Sequence, residues 1–309
     1  MSIASLLSAL PGNVAQGVIW GIMALGVYMT FKLLNFADMS VDGSFATGGA
    51  VTVILMTNGF NHGSALLIAF LAGVCAGIVT GLLHTVLGIP DILAGILTQI
   101  SLYSINLNIM GGKANTALSV DKFDLVVSLR YIPKSILIAA IMALVLIIIM
   151  YWFFGTEMGS AIRATGTNLA MAKAQGINIS LVKIISLALS NGVVAFAGGL
   201  LAQYQGFADI NMGRGSIVIG LAALIIGEVL YNAFFSKKNS FFMTLIFVIL
   251  GGIIYYIIIG IVLWLKMPTN DLKLFTAIIV AICLAIPYLK GQANSSFAKA
   301  KRRGGKENA

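Results

Sequence analysis

Nine apolar segments, at about 13–34, 40–58, 63–87, 90–111, 134–154, 182–204, 215–235, 240–265 and 272–289, take up most of this 309-residue chain. Each is near the ~20 residues a helix needs to cross the ~30 Å apolar layer of a bilayer. Within that layer backbone N–H and C=O groups must be satisfied inside the segment, so such runs become helices. Charged residues are 9% of the chain and hydrophobic ones 59%, whereas soluble domains carry about 25% charged residues. A water-soluble globule is excluded, and no length remains for a soluble catalytic domain. The expected fold is an all-α integral membrane protein with about nine transmembrane helices. Residues 1–289 form the membrane domain and 290–309 a basic tail. Cys75 and Cys283 both sit in apolar runs, which argues against a disulfide framework. The first basic residue is Lys32, so a cleaved leader with a basic start is not expected.

One polar island, 155–181, interrupts the apolar pattern. Placing it in the cytoplasm fixes the other loops by alternation. Lys32, Arg163, Lys173, Lys183, Lys237, Lys238 and the six basic residues from Lys290 onward then fall inside. Lys113, Lys122, Arg130, Lys134, Arg214, Lys266 and Lys273 fall outside. Twelve against seven obeys the positive-inside bias. The net charge of +9 does not indicate nucleic acid. Its one dense cluster, Lys299-Ala-Lys301-Arg302-Arg303, follows a span directly, where basic side chains meet anionic lipid headgroups.

Phe36-Ala37-Asp38-Met39-Ser40-Val41-Asp42-Gly43-Ser44 recurs, one residue longer, as Phe207-Ala208-Asp209-Ile210-Asn211-Met212-Gly213-Arg214-Gly215-Ser216. The first copy enters the membrane from inside and the second from outside, so the halves are expected to form an inverted repeat around a central solute route. Asp38, Ser40 and Asp42 put unusual polarity at a span edge. Polar groups at membrane depth are costly and point to function, yet Asp and Ser also cap helices. Asp38 and Asp42 share a face if their segment is helical. Gln99 and Asn191 lie well inside their spans and join these three as candidate pathway residues, with bridging between helices as the plainer alternative. Glu228 is the deepest-looking carboxylate, with Arg163 or Lys237 as possible partners. Gly73, Gly77 and Gly81, and likewise Ala277, Ala281 and Ala285, make small-residue faces suited to helix packing. His62 and His84 lack companions at metal-ligand spacing. No nucleophile motif and no phosphate-binding loop occurs, so neither catalytic residues, a metal nor a cofactor is expected.

Within the island, the order Gly159, Arg163, Gly166, Asn168, Ala172, Gly176-Ile177 resembles the loop that couples ABC importer permeases to their ATPases. The similarity is to the branched-chain amino acid and ribose type. Leu34-Asn35-Phe36-Ala37 looks like the amino acid branch, and Asp38-Met39-Ser40-Val41 is similar to the sugar branch. The Asp38–Gly43 form resembles permeases for aromatic amino acids, tryptophan or tyrosine. The resemblance implies a type II ABC importer permease fold and a multi-pass protein of the bacterial inner membrane. It further implies cytoplasmic ABC ATPase subunits, an extracytoplasmic solute-binding lipoprotein and a second permease subunit, a homodimer in preference to a heterodimer. The implied solute is small, an amino acid. An ion-coupled secondary transporter or channel is the rival reading. Residues 157–175 are expected to form one helix along the membrane, ended by Gly176, with Arg163 offered to the partner.

Overall fold

The computed structural model of the chain describes residues 3–119, 122–235 and 240–265, with isolated positions between 274 and 285. In chain order the helices are α1 (Ile3–Val27), α2 (Val41–Thr57), α3 (His62–Thr85), α4 (Asp91–Ile109) and α5 (Ile132–Gly155). They continue as α6 (Glu157–Thr167), α7 (Leu169–Ala174), α8 (Ile179–Gln205), α9 (Ser216–Phe234) and α10 (Phe241–Trp264). Eight of the nine apolar segments therefore become helices. The ninth, 272–289, and the tail lie outside the described residues except at those isolated positions. Seven helices are long and apolar enough to cross a membrane. The eighth, α2, has 17 residues, about 25 Å of helix, which is short for a full crossing.

α1 continues through a π-helical stretch, Tyr28–Leu33, so a single rod runs from Ile3 to Leu33. Asn35 then adopts φ 54, the one positive φ at a non-glycine among the described residues. Asn tolerates that left-handed backbone because its short side chain can bond locally. The rod ends there, and residues 36–40 run without helical structure before α2 begins.

α1 and α8 are the buried centre, with 83% and 78% of their apolar windows covered. The helices around them repeat one arrangement twice. α3 packs on α8 as α10 packs on α1, α2 packs on α3 as α9 packs on α10, and α1 meets α8. The inverted repeat thus pairs α1 with α8, α2 with α9 and α3 with α10. Lipid supplies no hydrophobic drive between helices, so close approach through small residues holds these pairs. Gly73 and Gly77 of α3 lie against the backbone of Asn191 and Leu187 in α8, and Gly81 against Ile184. In the matching contact, a Cβ on Gly17 of α1 would stand 2.6 Å from Ile253 Cα in α10. The Gly73/Gly77/Gly81 face is therefore an internal seam, already filled by α8.

The two ends of the bundle differ. At one, β1 (Asn115–Ala117) pairs antiparallel with β2 (Phe207–Asp209), matching Thr116 with Ala208 and tying the 112–133 loop to the approach to α9. At the other, α6 packs against the end of the first rod, where Gly166 meets the Leu33 carbonyl. Lys32 and Glu228 pair at 2.8 Å, and Lys183 meets His84 Nε2 at 2.8 Å. Among the described residues, the 155–181 island, the end of the first rod at Lys32 and the start of α8 at Lys183 thus gather at this end.

Candidate functional site

The non-helical stretch before α2 carries its polar side chains to the middle of the molecule. Asp38 is 2% exposed, and Ser40, Ser44 and Asn191 are fully buried. Asp38 Oδ1 accepts from the Ser40 backbone N–H at 2.9 Å and from Ser40 Oγ at 2.5 Å. Asp38 Oδ2 accepts from Asn191 Nδ2 at 2.7 Å, and that nitrogen also donates to the Leu187 carbonyl at 3.0 Å. Asn191 Oδ1 accepts from Ser44 Oγ at 2.6 Å. Asn191 stands near the midpoint of the 27-residue α8, so α2 begins at mid-depth and runs toward the strand end. A buried polar network of this kind holds only when its members are satisfied, and here each has a partner.

Asp42, in the first turn of α2, acts on a different helix. Its Oδ2 accepts from the Gly215 N–H at 2.8 Å, and its Oδ1 from Ser216 Oγ at 2.8 Å and the Ile217 N–H at 2.9 Å. Gly215 supplies no side-chain cap for α9, so Asp42 satisfies the free N–H groups and faces the positive end of the helix dipole. The first copy of the repeated motif thus caps the helix that follows the second copy. Both copies also make the same local turn, since Asp209 Oδ1 accepts from the Asn211 N–H at 2.7 Å, as Asp38 does from Ser40. Asp38 and Asp42 do not share a helical face, because Asp38 precedes the start of α2. They bond to separate partners.

Beside this junction, between α2, α4 and the approach to α9, lies a cavity of about 330 Å³ lined by Asp42, Gly43, Gln99, Tyr103, Asn106 and Arg214. Its size is at the lower end for small-molecule sites. Gly43 permits the close passage of α4: a Cβ there would stand 2.9 Å from Leu102 Cδ1 and 3.1 Å from Gln99 Cα. The Arg214 guanidinium lies over the Tyr103 ring at 5.9 Å. Of the five residues expected along a solute route, Asp42 and Gln99 line this opening, while Asp38, Ser40 and Asn191 are closed on one another. Tyr103 and Arg214 went unread as site residues in the sequence. The available signal was the spacing of Gln99, Tyr103 and Asn106, which puts all three on one face of α4.

The polar island is not one helix. Asn168 is extended, with φ −152 and ψ 101, and its Oδ1 accepts from the Met171 N–H at 3.0 Å, so it ends α6 and caps α7. The preference of Asn for such caps outweighs the helical continuity suggested by the alanines. Gly176, with φ +79, closes α7: its N–H reaches Lys173 O at 3.0 Å, and the Ile177 N–H reaches Ala172 O at 3.1 Å. That double bond pattern requires a left-handed residue, which glycine adopts freely. Gly159 rests against the Phe153–Phe154 backbone, and Ala172 is buried. Arg163 turns back into the subunit, where Nη2 donates to the Phe154 carbonyl at 2.9 Å and the guanidinium lies 6.0 Å from the Phe241 ring centre. Glu228 pairs with Lys32 at 2.8 Å, while Arg163 is taken up by the Phe154 carbonyl; Lys237, the other expected partner, lies outside the described residues.

A family model for the permease component of branched-chain amino acid transport systems matches residues 12–286. The tyrosine transport system permease protein of Clostridioides difficile (strain R20291) is 39% identical over 297 residues, covering 95% of this chain and 95% of that one. The autoinducer 2 import system permease protein LsrC of Yersinia pseudotuberculosis (serotype O:1b, strain IP 31758) is 31% identical over 210 residues, 67% of this chain and 58% of that one. PsaBC from Streptococcus pneumoniae in complex with Fab superposes with a TM-score of 0.43 and 16% identity, over 84% of this chain and 95% of that chain. With the family model spanning all the described helices from the first rod onward, and a relative of like length at that identity, the chain belongs to the family of permease components of branched-chain amino acid transport systems.

Proposed function

We propose that the chain is the membrane-spanning subunit of an ATP-driven importer in a bacterial inner membrane. It passes a small solute, an amino acid, received from an extracytoplasmic binding protein. ATP hydrolysis belongs to separate subunits that grip α6 and α7. The observation that carries this reading is the surface helix pair itself. α6 and α7 expose Ala164, Ala170 and Ala174 on a low outer face, while Gly159 and Gly166 seat the pair tightly on α5 and the first rod. A push on that face reaches the rod end at Leu33, and from there the 36–40 stretch leads to the start of α2. The tyrosine permease relative supports an amino acid as solute, and an aromatic one in particular.

An ion-coupled carrier needs a carboxylate able to exchange its proton or ion with water during transport. Asp38 and Asp42 are both committed to three hydrogen bonds, which favours the ATP-driven reading. The test is uptake of labelled L-tyrosine and L-leucine into vesicles that hold the permease with its ATPase and binding protein. Uptake that requires ATP and the binding protein supports the proposal. Uptake driven by a proton or sodium gradient without ATP would overturn it.

A further inference from the structure

Asn106 is 1% exposed, and neither its Oδ1 nor its Nδ2 has a hydrogen-bond partner. Buried amides are almost always partnered, and leaving one unpaired is costly. Asn106 is among the residues that line the cavity shared by Gln99, Tyr103 and Arg214. Arg214 is exposed and, among the described residues, makes no ion pair; its guanidinium rests on the Tyr103 ring. The negative charge of Asp42 on the same wall is directed at the start of α9. The cavity therefore offers a cationic planar fork held over an aromatic ring, with no anion paired to it among the described residues, and an amide with one acceptor and two donors.

We infer that this cavity is a solute subsite of the permease, built for a molecule carrying a carboxylate beside a hydrogen-bonding amine. The carboxylate pairs with the Arg214 fork, whose geometry suits two-point recognition. The amine donates to Asn106 Oδ1, and the apolar part of the solute lies along Tyr103 and Ile210, which also line the space. This rests on the importer reading and deepens it: an α-amino acid meets matched chemistry inside the permease as well as in a binding protein. The subsite is open on one side and is weak by construction, as a point of passage must be.

The test uses the full chain in lipid nanodiscs, with Cys75→Ala and Cys283→Ala and a reporter Ser104→Cys on the cavity wall. L-phenylalanine and L-leucine are the probes, and phenethylamine, which lacks the carboxylate, is the control. At millimolar concentration the amino acids are expected to slow alkylation of the reporter by a water-soluble maleimide several-fold, while phenethylamine leaves it unchanged. Arg214→Gln, a surface change that folding tolerates, should raise the half-protecting concentration about tenfold, as loss of a charge-assisted pair implies. Asn106→Leu should weaken protection by both amino acids. Equal protection by phenethylamine, or unchanged protection in Arg214→Gln, overturns the subsite. ATP-driven uptake of an amino acid by the assembled wild-type importer, with no L-amino acid protecting the reporter, overturns the subsite alone. Absence of ATP-driven uptake of any amino acid overturns the importer reading, and the subsite with it.

Discussion

α4 and α5 are the two least covered spans, with 28% and 22% of their apolar windows buried within the subunit. Exposure is similar; chemistry is not. α5 is the most hydropathic span and turns Leu137, Ile141, Leu144, Val145, Ile148 and Ile149 outward. α4 is the least hydropathic, and its uncovered side mixes Ser101, Tyr103, Ser104 and Asn108 with Ile100 and Ile105. Side chains that hydrogen-bond are expensive against lipid tails and belong against protein or a water-filled route. Lipid is thus the natural neighbour of α5, whereas the exposed side of α4 suits protein or water, in keeping with the solute route proposed beside it. Low burial inside one subunit does not by itself identify a lipid face.

The largest expected effect separates the two helices directly. Leu144→Lys, at the centre of the outer face of α5, should cost about 3 kcal/mol of insertion, read as loss of permease from the membrane fraction. Ser101→Lys, at the matching depth of α4, should leave that level near wild type while stopping uptake. Equal losses from both would break the contrast.

A second variant extends the comparison to the covered interior. Asn191→Leu removes the donor to Asp38 Oδ2 and the acceptor of Ser44, at a cost of about 1–3 kcal/mol for groups left unpaired in a buried site. Thermal unfolding in detergent should shift downward, and an unshifted transition would mean that water replaces the lost partner. Asp42→Ala should cost about 1 kcal/mol, the usual value of a helix cap, measured in the same way. The smallest structural effect belongs to Gln99→Leu on the cavity wall. Stability should stay within about 0.5 kcal/mol of wild type, with uptake slowed several-fold. Unchanged uptake would move the route away from α4.

Much of this architecture was legible because it obeys local rules. Segment ends from 40–58 to 240–265 matched helices α2 to α5 and α8 to α10 within a few residues, since the length of an apolar run sets the length of the helix it forms. Gly176 marked the end of the surface segment, but that segment was expected as one helix over 157–175, and the break at Asn168 did not follow from the alanine-rich run around it. The unread features are those joined across the chain. Lys32 and Glu228 are 196 positions apart, and no pattern near Glu228 favoured that lysine over Lys237. Arg214 counted in the sequence as one more outward basic residue; its place above Tyr103 depends on how the approach to α9 folds back onto α2. The depth at which α2 starts was equally hidden, because Ser40 and Ser44 acquire it from Asn191 rather than from their own neighbours.

The Asp42 cap has a mechanical consequence. It pins the origins of α2 and α9 together while their far ends point to opposite surfaces, so the pair has the geometry of a seesaw with its fulcrum at mid-depth. α9 is 19 residues long, about 28 Å from that fulcrum to its tip, so a tilt of ~10° would swing the tip by about 5 Å with scarcely any travel at the pivot. A lever of this form converts a small angular change imposed at one surface into a wide displacement there, and it leaves the three hydrogen bonds at its centre intact.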